Sequence, residues 1–248
     1  MAKGNGEAAS RPWLFLFGGR GKTGKTRGCL VLRHFLRERG IPHVLLDADR
    51  SNWSLSKLLP GEARRPKGRS DNYMRDWLGG ELEAAVGAGF SVVADFAGGD
   101  PLLRTIAGDV DLEQFADALG ANLGLIYALG GDPDDLVGLA EMERDRLLTP
   151  RHTALMFNTG AIAASVEPAV AFDLYIENEV VVAALARGAK LVKLPECKAM
   201  ALLVDKQGRF TPFEDAARLG PWNHQQIVTW LRRSAEPGAM GPVLEWVA

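Results

Sequence analysis

Nine residues, Gly18 to Thr26, constrain this chain more than any other stretch; they read Gly-Gly-Arg-Gly-Lys-Thr-Gly-Lys-Thr. An apolar run, Trp13 to Phe17, precedes them, and a segment with apolar residues at helical spacing follows, Arg27 to Arg39. From Gly19 to Thr26 the order fits G-x-x-x-x-G-K-[ST], the phosphate-binding loop, in the strand-loop-helix setting that gives the pattern meaning. A glycine-rich turn lets consecutive backbone N–H groups converge on a phosphate, and the next helix adds its positive end. Gly19, Gly21, Lys22, Thr23 and Gly24 form the expected cradle. Lys25 then reaches the β- and γ-phosphates of the nucleotide, and the Thr26 hydroxyl ligates Mg²⁺. The bland alternative is a glycine-rich connection holding a chance lysine.

The rest of the chain alternates short apolar runs with helical segments, which argues for βαβ units. The expected strands are 13–17, 43–46, 91–94, 123–129, 153–157 and 190–194. Helices are expected from Gly24 to Arg39, 77–88, 102–119 with a break near Gly108, 133–148, 178–187 and 222–233. Gly40 suits the end of the first helix, and Pro42 blocks its continuation. Asp132 reads as an N-cap with Pro133 at the first helical position. The expected fold class is α/β, a mostly parallel β-sheet flanked by helices on both faces, with P-loop NTPase architecture. One domain is expected over residues 12–233, with a flexible N-terminus at 1–11. Residues 234–248 are either a tail or a docking segment.

Composition excludes several classes. The formal net charge is −2 over 248 residues, so no global basic field drives the chain onto nucleic acid. Two cysteines, Cys29 and Cys197, make no disulfide framework or metal-site spacing, and Cys29 reads as core. The first residues lack the apolar centre of a signal peptide, and no run approaches a membrane span. The expectation is a cytoplasmic protein. The most basic stretch holds Arg64, Arg65, Lys67, Arg69 and Arg75. It is either a solvated loop or a mobile segment that meets a partner, DNA or the nucleotide.

Ligands of open parallel sheets bind beyond the carboxyl ends of the strands. Read in order, those ends carry the phosphate loop, Asp47 and Asp49, Asp95, Asn158, and Pro195 followed by Glu196. Asp95 follows an apolar strand and suits a Walker-B aspartate that holds Mg²⁺. The alternative is a cap on the next helix. Asp47 and Asp49 place two carboxylates near the metal and terminal phosphate, Asp47 in the Mg²⁺ shell and Asp49 orienting water; one of them otherwise caps the next helix near Ser51. The Asn158 amide offers both donor and acceptor to an adenine edge, or serves a plain turn. Pro195 packs against the base in this reading.

These residues resemble the ParA/MinD family of deviant Walker-A ATPases. The resemblance rests on Arg20, Lys25 and Thr26 in the loop, Asp-Ala-Asp at 47–49, Val-Val-Ala-Asp ending at Asp95, Phe-Asn at Asn158 and Leu-Pro at Pro195. It implies ATP and Mg²⁺ as cofactors, slow partner-stimulated ATP hydrolysis, and an ATP-dependent homodimer. The family positions plasmids, chromosomes, division machinery or conjugation components, so the implied role is plasmid partition or conjugative-element maintenance. An unidentified stimulating protein and duplex DNA are the implied partners. The terminal segment has little basic character, which disfavours a membrane. The family's signature lysine crosses the dimer to the partner's phosphates, and Arg20 stands in its place. Arginine keeps the charge with a planar fork. Lys22 replaces a glycine and is strained if that position needs positive φ. Two other readings fit the same loop: a small-molecule kinase with the 64–75 stretch as its lid, and a nucleotide-binding adaptor with negligible turnover.

Overall fold

The computed structural model describes residues 11–99, 101–162 and 165–248. Apart from Arg11, the expected flexible N-terminus lies outside these residues. Seven parallel strands form one sheet: β1 (Trp13–Gly19), β2 (His43–Ala48), β3 (Ala63–Arg64), β4 (Ser91–Phe96), β5 (Asn122–Leu129), β6 (His152–Asn158) and β7 (Lys190–Leu194). Their order is β3-β2-β4-β1-β5-β6-β7, so the phosphate-loop strand is central. Pairing sets Phe17 beside Asp95 and Asp47 beside Asp95, which aligns three strand ends. The α/β class with helices on both faces is the architecture observed.

Strand period explains why two helical layers are needed. Leu14 and Leu16 of β1 enter one core, and Phe15 and Phe17 enter the other. A strand buried on both faces reads as a continuous apolar run, as β1 does. The first layer holds α3 (Asp71–Gly87), α4 (Leu102–Asp109), α5 (Leu112–Leu119), α6 (Val137–Asp145), α7 (Pro168–Ile176) and α8 (Glu179–Ala186). The second holds α1 (Lys25–Glu38), α2 (Ser54–Leu58), α9 (Pro221–Ser234) and α10 (Gly241–Leu244). Cys29 is fully buried on α1, as its position suggests.

Boundaries differ from expectation where capping or short elements decide. α3 starts six residues earlier than the apolar pattern suggests, because the Ser70 side chain caps it by accepting from Tyr73 N–H. The break near Gly108 falls at Val110 and Asp111, where the Asp111 carboxylate accepts from Glu113 and Gln114 N–H and starts α5. β3, α2 and α7 have no counterpart in the expected elements. Asp132 does cap, with Asp135, a 3₁₀ turn that leads into α6.

Part of the 234–248 stretch packs against the second core. Met240, Val243 and Leu244 are buried, and the Arg39 guanidinium donates to the Leu244 carbonyl. Trp246 stacks on Trp13 at 5.8 Å and on Phe15 at 6.4 Å between ring centres. It covers the amino end of β1, away from the phosphate loop. Trp246→Ala is expected to cost about 2–3 kcal/mol, less than a fully buried tryptophan because the ring is only half-buried. Urea unfolding checks this, and a loss under about 0.5 kcal/mol contradicts docking as a source of stability.

Candidate functional site

The site is built from β1 outward. After Gly19 the chain turns tightly through Arg20 to Gly24 into α1. Gly24 has φ +94°, and a Cβ there would lie 2.1 Å from the Asn158 amide nitrogen, so no other residue fits. Lys22 has φ +70°, the left-handed conformation that the sequence raised as a source of strain. Such strain in a non-glycine residue costs on the order of 1–3 kcal/mol and clusters where function over-determines the backbone. Among the described residues, the N–H groups of Gly21, Lys22, Thr23 and Gly24 have no acceptor. Unspent donors converging before a helix are the physical content of a phosphate cradle.

Lys25 lies under this turn. Its ammonium donates to the Arg20 carbonyl at 2.7 Å, which also accepts from the Thr23 hydroxyl at 2.9 Å. Burial lowers the Lys25 pKa, opposed by the charges of Asp95 and Asp49. The Thr26 hydroxyl donates to Asp95 Oδ2 at 2.6 Å. Asp95 is buried, and its Oδ1 has no hydrogen-bond partner. Burial raises its pKa to about 7, partly offset by the Thr26 bond and Lys25. An orphaned carboxylate oxygen beside a threonine hydroxyl is the donor set a hydrated Mg²⁺ fits. The described residues hold no cluster of three acidic, histidine or cysteine side chains for a metal. Mg²⁺ keeps waters and nucleotide oxygens as ligands, so Thr26 and Asp95 suffice on the protein side.

Four of the expected site residues are engaged in other contacts in this structure. Asp47 is fully buried and accepts from Asp49 N–H at 3.2 Å and Ser56 N–H at 2.7 Å, one on each oxygen. It braces the loop after β2, with each oxygen already holding one backbone N–H. Asp49 accepts on Oδ1 from the N–H groups of Ser51 and Asn52, so in this state it holds the turn that precedes α2. Both arrangements have one cause: a sharp turn strips backbone donors of partners, and short carboxylates satisfy them. Asn158 donates to the Thr23 carbonyl at 3.1 Å and accepts from Gly160 N–H, so it supports the phosphate loop rather than a base edge. The Pro195 carbonyl accepts from the Trp230 indole at 2.8 Å, and the residue lines a groove with Trp222 and Trp230.

The cleft that flanks the start of α1 is lined instead by Thr26, Arg27, Glu196, Lys198, Met200 and Phe210, and holds about 370 Å³. Sequence reasoning reached Thr26 and Glu196 of these. Arg27 lies in the first turn of α1, and Lys198, Met200 and Phe210 sit in a 3₁₀ turn and a loop without a period to mark them.

Arg20 does not point into open solvent. It pairs with Asp132 at 2.7 Å, Asp134 at 3.6 Å and the buried Asp135 at 3.9 Å. Lys22 is exposed and has no hydrogen bond or ion pair among the described residues. The loop after β4 presses on the cradle: a Cβ on Gly98 would lie 2.1 Å from Gly21 N. The basic 64–75 stretch is tied down. Arg64 pairs with Glu81 and Arg75 with Asp109. Arg65 and Arg69 lie over the Trp53 ring, whose own backbone is left-handed at φ +52°.

No protein-family profile matches the chain, and no curated protein matches it. Solved structures do show likeness. One is FtsY from Mycoplasma mycoides, at 13% identity over 60% of this chain and 53% of that one, TM-score 0.38. A second is the signal recognition particle receptor FtsY from Elizabethkingia anophelis in complex with GDP, at 14% over 77% and 60%, TM-score 0.45. A third is the signal recognition particle 54 kDa protein from Aeropyrum pernix K1 in complex with GDP, at 16% over 90% and 49%, TM-score 0.37. The chain spans about half to three fifths of the length of these proteins. Likeness at this level says nothing about this chain's nucleotide or partners.

Proposed function

We propose that this chain is a Mg²⁺-nucleoside-triphosphate switch, with ATP as the nucleotide and slow, partner-stimulated hydrolysis. One observation carries the reading: four unspent N–H donors stand over a buried ammonium, beside a Thr26–Asp95 pair with an orphaned oxygen. The phosphates take the cradle and Lys25, Mg²⁺ takes Thr26 and Asp95, and the base takes the cleft beside Arg27 and Phe210. Asp49 remains the candidate to orient water, because its charge acts on Lys25. The homodimer, a DNA or protein partner and the role in partition or conjugative-element maintenance rest on the ParA/MinD resemblance, and the cytoplasmic location on the composition of the chain. Among the described residues no helix is long and apolar enough to cross a membrane. In a dimer, Arg20 would first have to leave its aspartates, whereas Lys22 is already free.

A second reading, an adaptor with negligible turnover, is favoured by the capture of Asp47 and Asp49 by loop N–H groups. The kinase reading loses its lid, since the arginines it needs are paired or stacked. Sedimentation velocity with Mg-ATP, Mg-GTP and ADP, together with phosphate release, tests these readings. The expected result is a dimer with Mg-ATP only and slow phosphate release. Binding without release supports the adaptor, and a monomer with every nucleotide rejects the switch.

A further inference from the structure

A void of about 490 Å³ lies on the other face of the sheet from the base-side cleft and shares no residue with it. It sits between α4 and α6. Its floor is the backbone of Gly18 and Gly19 with the ring of Tyr127. A Cβ on Gly18 would approach Leu103 at 3.3 Å and Tyr127 at 3.4 Å, so the bare backbone lets these two side chains pack against β1 at the edge of the cavity. Phe96, Leu103, Val137 and Met142 make the walls apolar. This size, with apolar walls and few polar groups, is that of a small-molecule site.

The charged lining narrows the ligand. Arg104 of α4 pairs with Glu141 of α6, and Arg20 pairs with Asp134 and Asp135, all at the cavity. Among the described lining residues three carboxylates face two guanidiniums, leaving one negative charge in excess. Asp135 is 3% exposed, so its charge acts in low dielectric, where attraction is least screened. Aromatic walls also suit a cation. A carboxylate or phosphate ligand meets net repulsion.

We propose that this cavity, which adjoins the phosphate loop at Gly19 and Arg20, is a second ligand site for a small apolar-bodied monocation such as an arylalkylamine. Its ammonium competes with Arg20 for Asp134 and Asp135. The Arg20 carbonyl is the acceptor of Lys25, so occupancy of the cavity is coupled to the phosphate loop. This site does not depend on the nucleotide reading.

Calorimetry on the whole chain with phenethylamine, 2-phenylethanol and phenylacetate tests it. The amine is expected to bind about 10-fold or more tighter than the alcohol, a gap of about 1.4 kcal/mol or more, and the acid not measurably. Glu141→Gln should bring the amine down to the alcohol. Arg20→Gln, which removes the competing cation, should tighten the amine several-fold. Val137→Trp fills the void from an exposed position and should abolish amine binding while Mg-ATP binding persists. Equal binding of the three probes, binding by none at millimolar concentration, unchanged binding in Val137→Trp, or simple competition by Mg-ATP would each overturn the proposal.

Discussion

Replacing Lys25 with alanine is expected to weaken Mg-ATP binding by roughly 100-fold or more, about 3 kcal/mol. The ammonium is 7% exposed and already stripped of most water, so its contact with phosphate carries little further desolvation cost. Burial lowers its pKa, yet Asp95 and Asp49 oppose that shift, and the group donates to the Arg20 carbonyl at 2.7 Å. A phosphate in the cradle puts an anion where the ammonium now meets a neutral carbonyl, which adds charge–charge attraction in a largely desolvated place. Alanine also leaves Asp95 without the cation beside it. Titration calorimetry measures the loss. Affinity within about threefold of the parent chain would show that phosphate does not bind at this loop.

How much of this was legible depends on what each residue's neighbours demand. The loop and Asp95 could be read, because local order alone places them: a strand, a glycine turn, a helix, and an acid where the next strand stops. Asp47 and Asp49 look equivalent to Asp95 in sequence. Their fate is decided by the turn at 49–56, whose N–H groups take their oxygens. Asn158 is claimed by Thr23, 135 residues earlier, a contact no spacing rule encodes. Arg33 makes the same point inside the fold. It is fully buried on α1, gripped by Glu62 at 2.5 Å and 2.9 Å and faced by Glu214 at 3.5 Å. Helical periodicity places a charged residue outward unless distant acids are known to meet it. Two-residue β3 and the 3₁₀ turns near Met200 are likewise too short to carry a period.

Asp95→Asn should move stability and metal binding in opposite directions. The native carboxyl has a pKa of about 7 against an ordinary 3.8, raised by burial. Below about pH 4 the acid is protonated in both folded and unfolded chains and costs nothing extra. Between those values the folded chain holds a proton that the unfolded chain has lost, so stability falls as pH rises. Above 7 the folded chain carries a buried charge whose cost has reached its plateau. Asparagine never ionises and keeps an oxygen to accept from Thr26. A shift of this size corresponds to about 4 kcal/mol. The new amide donor, placed where Oδ1 now has no partner, gives back about 1–3 kcal/mol. The nucleotide-free variant is therefore expected to exceed the parent chain by about 1–3 kcal/mol at pH 8, and to fall below it as pH drops toward 4, where only the amide cost remains. Mg²⁺ reverses the ranking, because a cation favours the ionised acid and amide oxygen is a weaker ligand. The Mg²⁺-dependent gain in nucleotide affinity should fall by about tenfold or more, about 1.4 kcal/mol or more. Denaturant melts across pH, paired with nucleotide titrations with and without Mg²⁺, read both effects. A variant less stable than the parent at pH 8, or one that keeps the full Mg²⁺ effect, would remove Asp95 from the metal site.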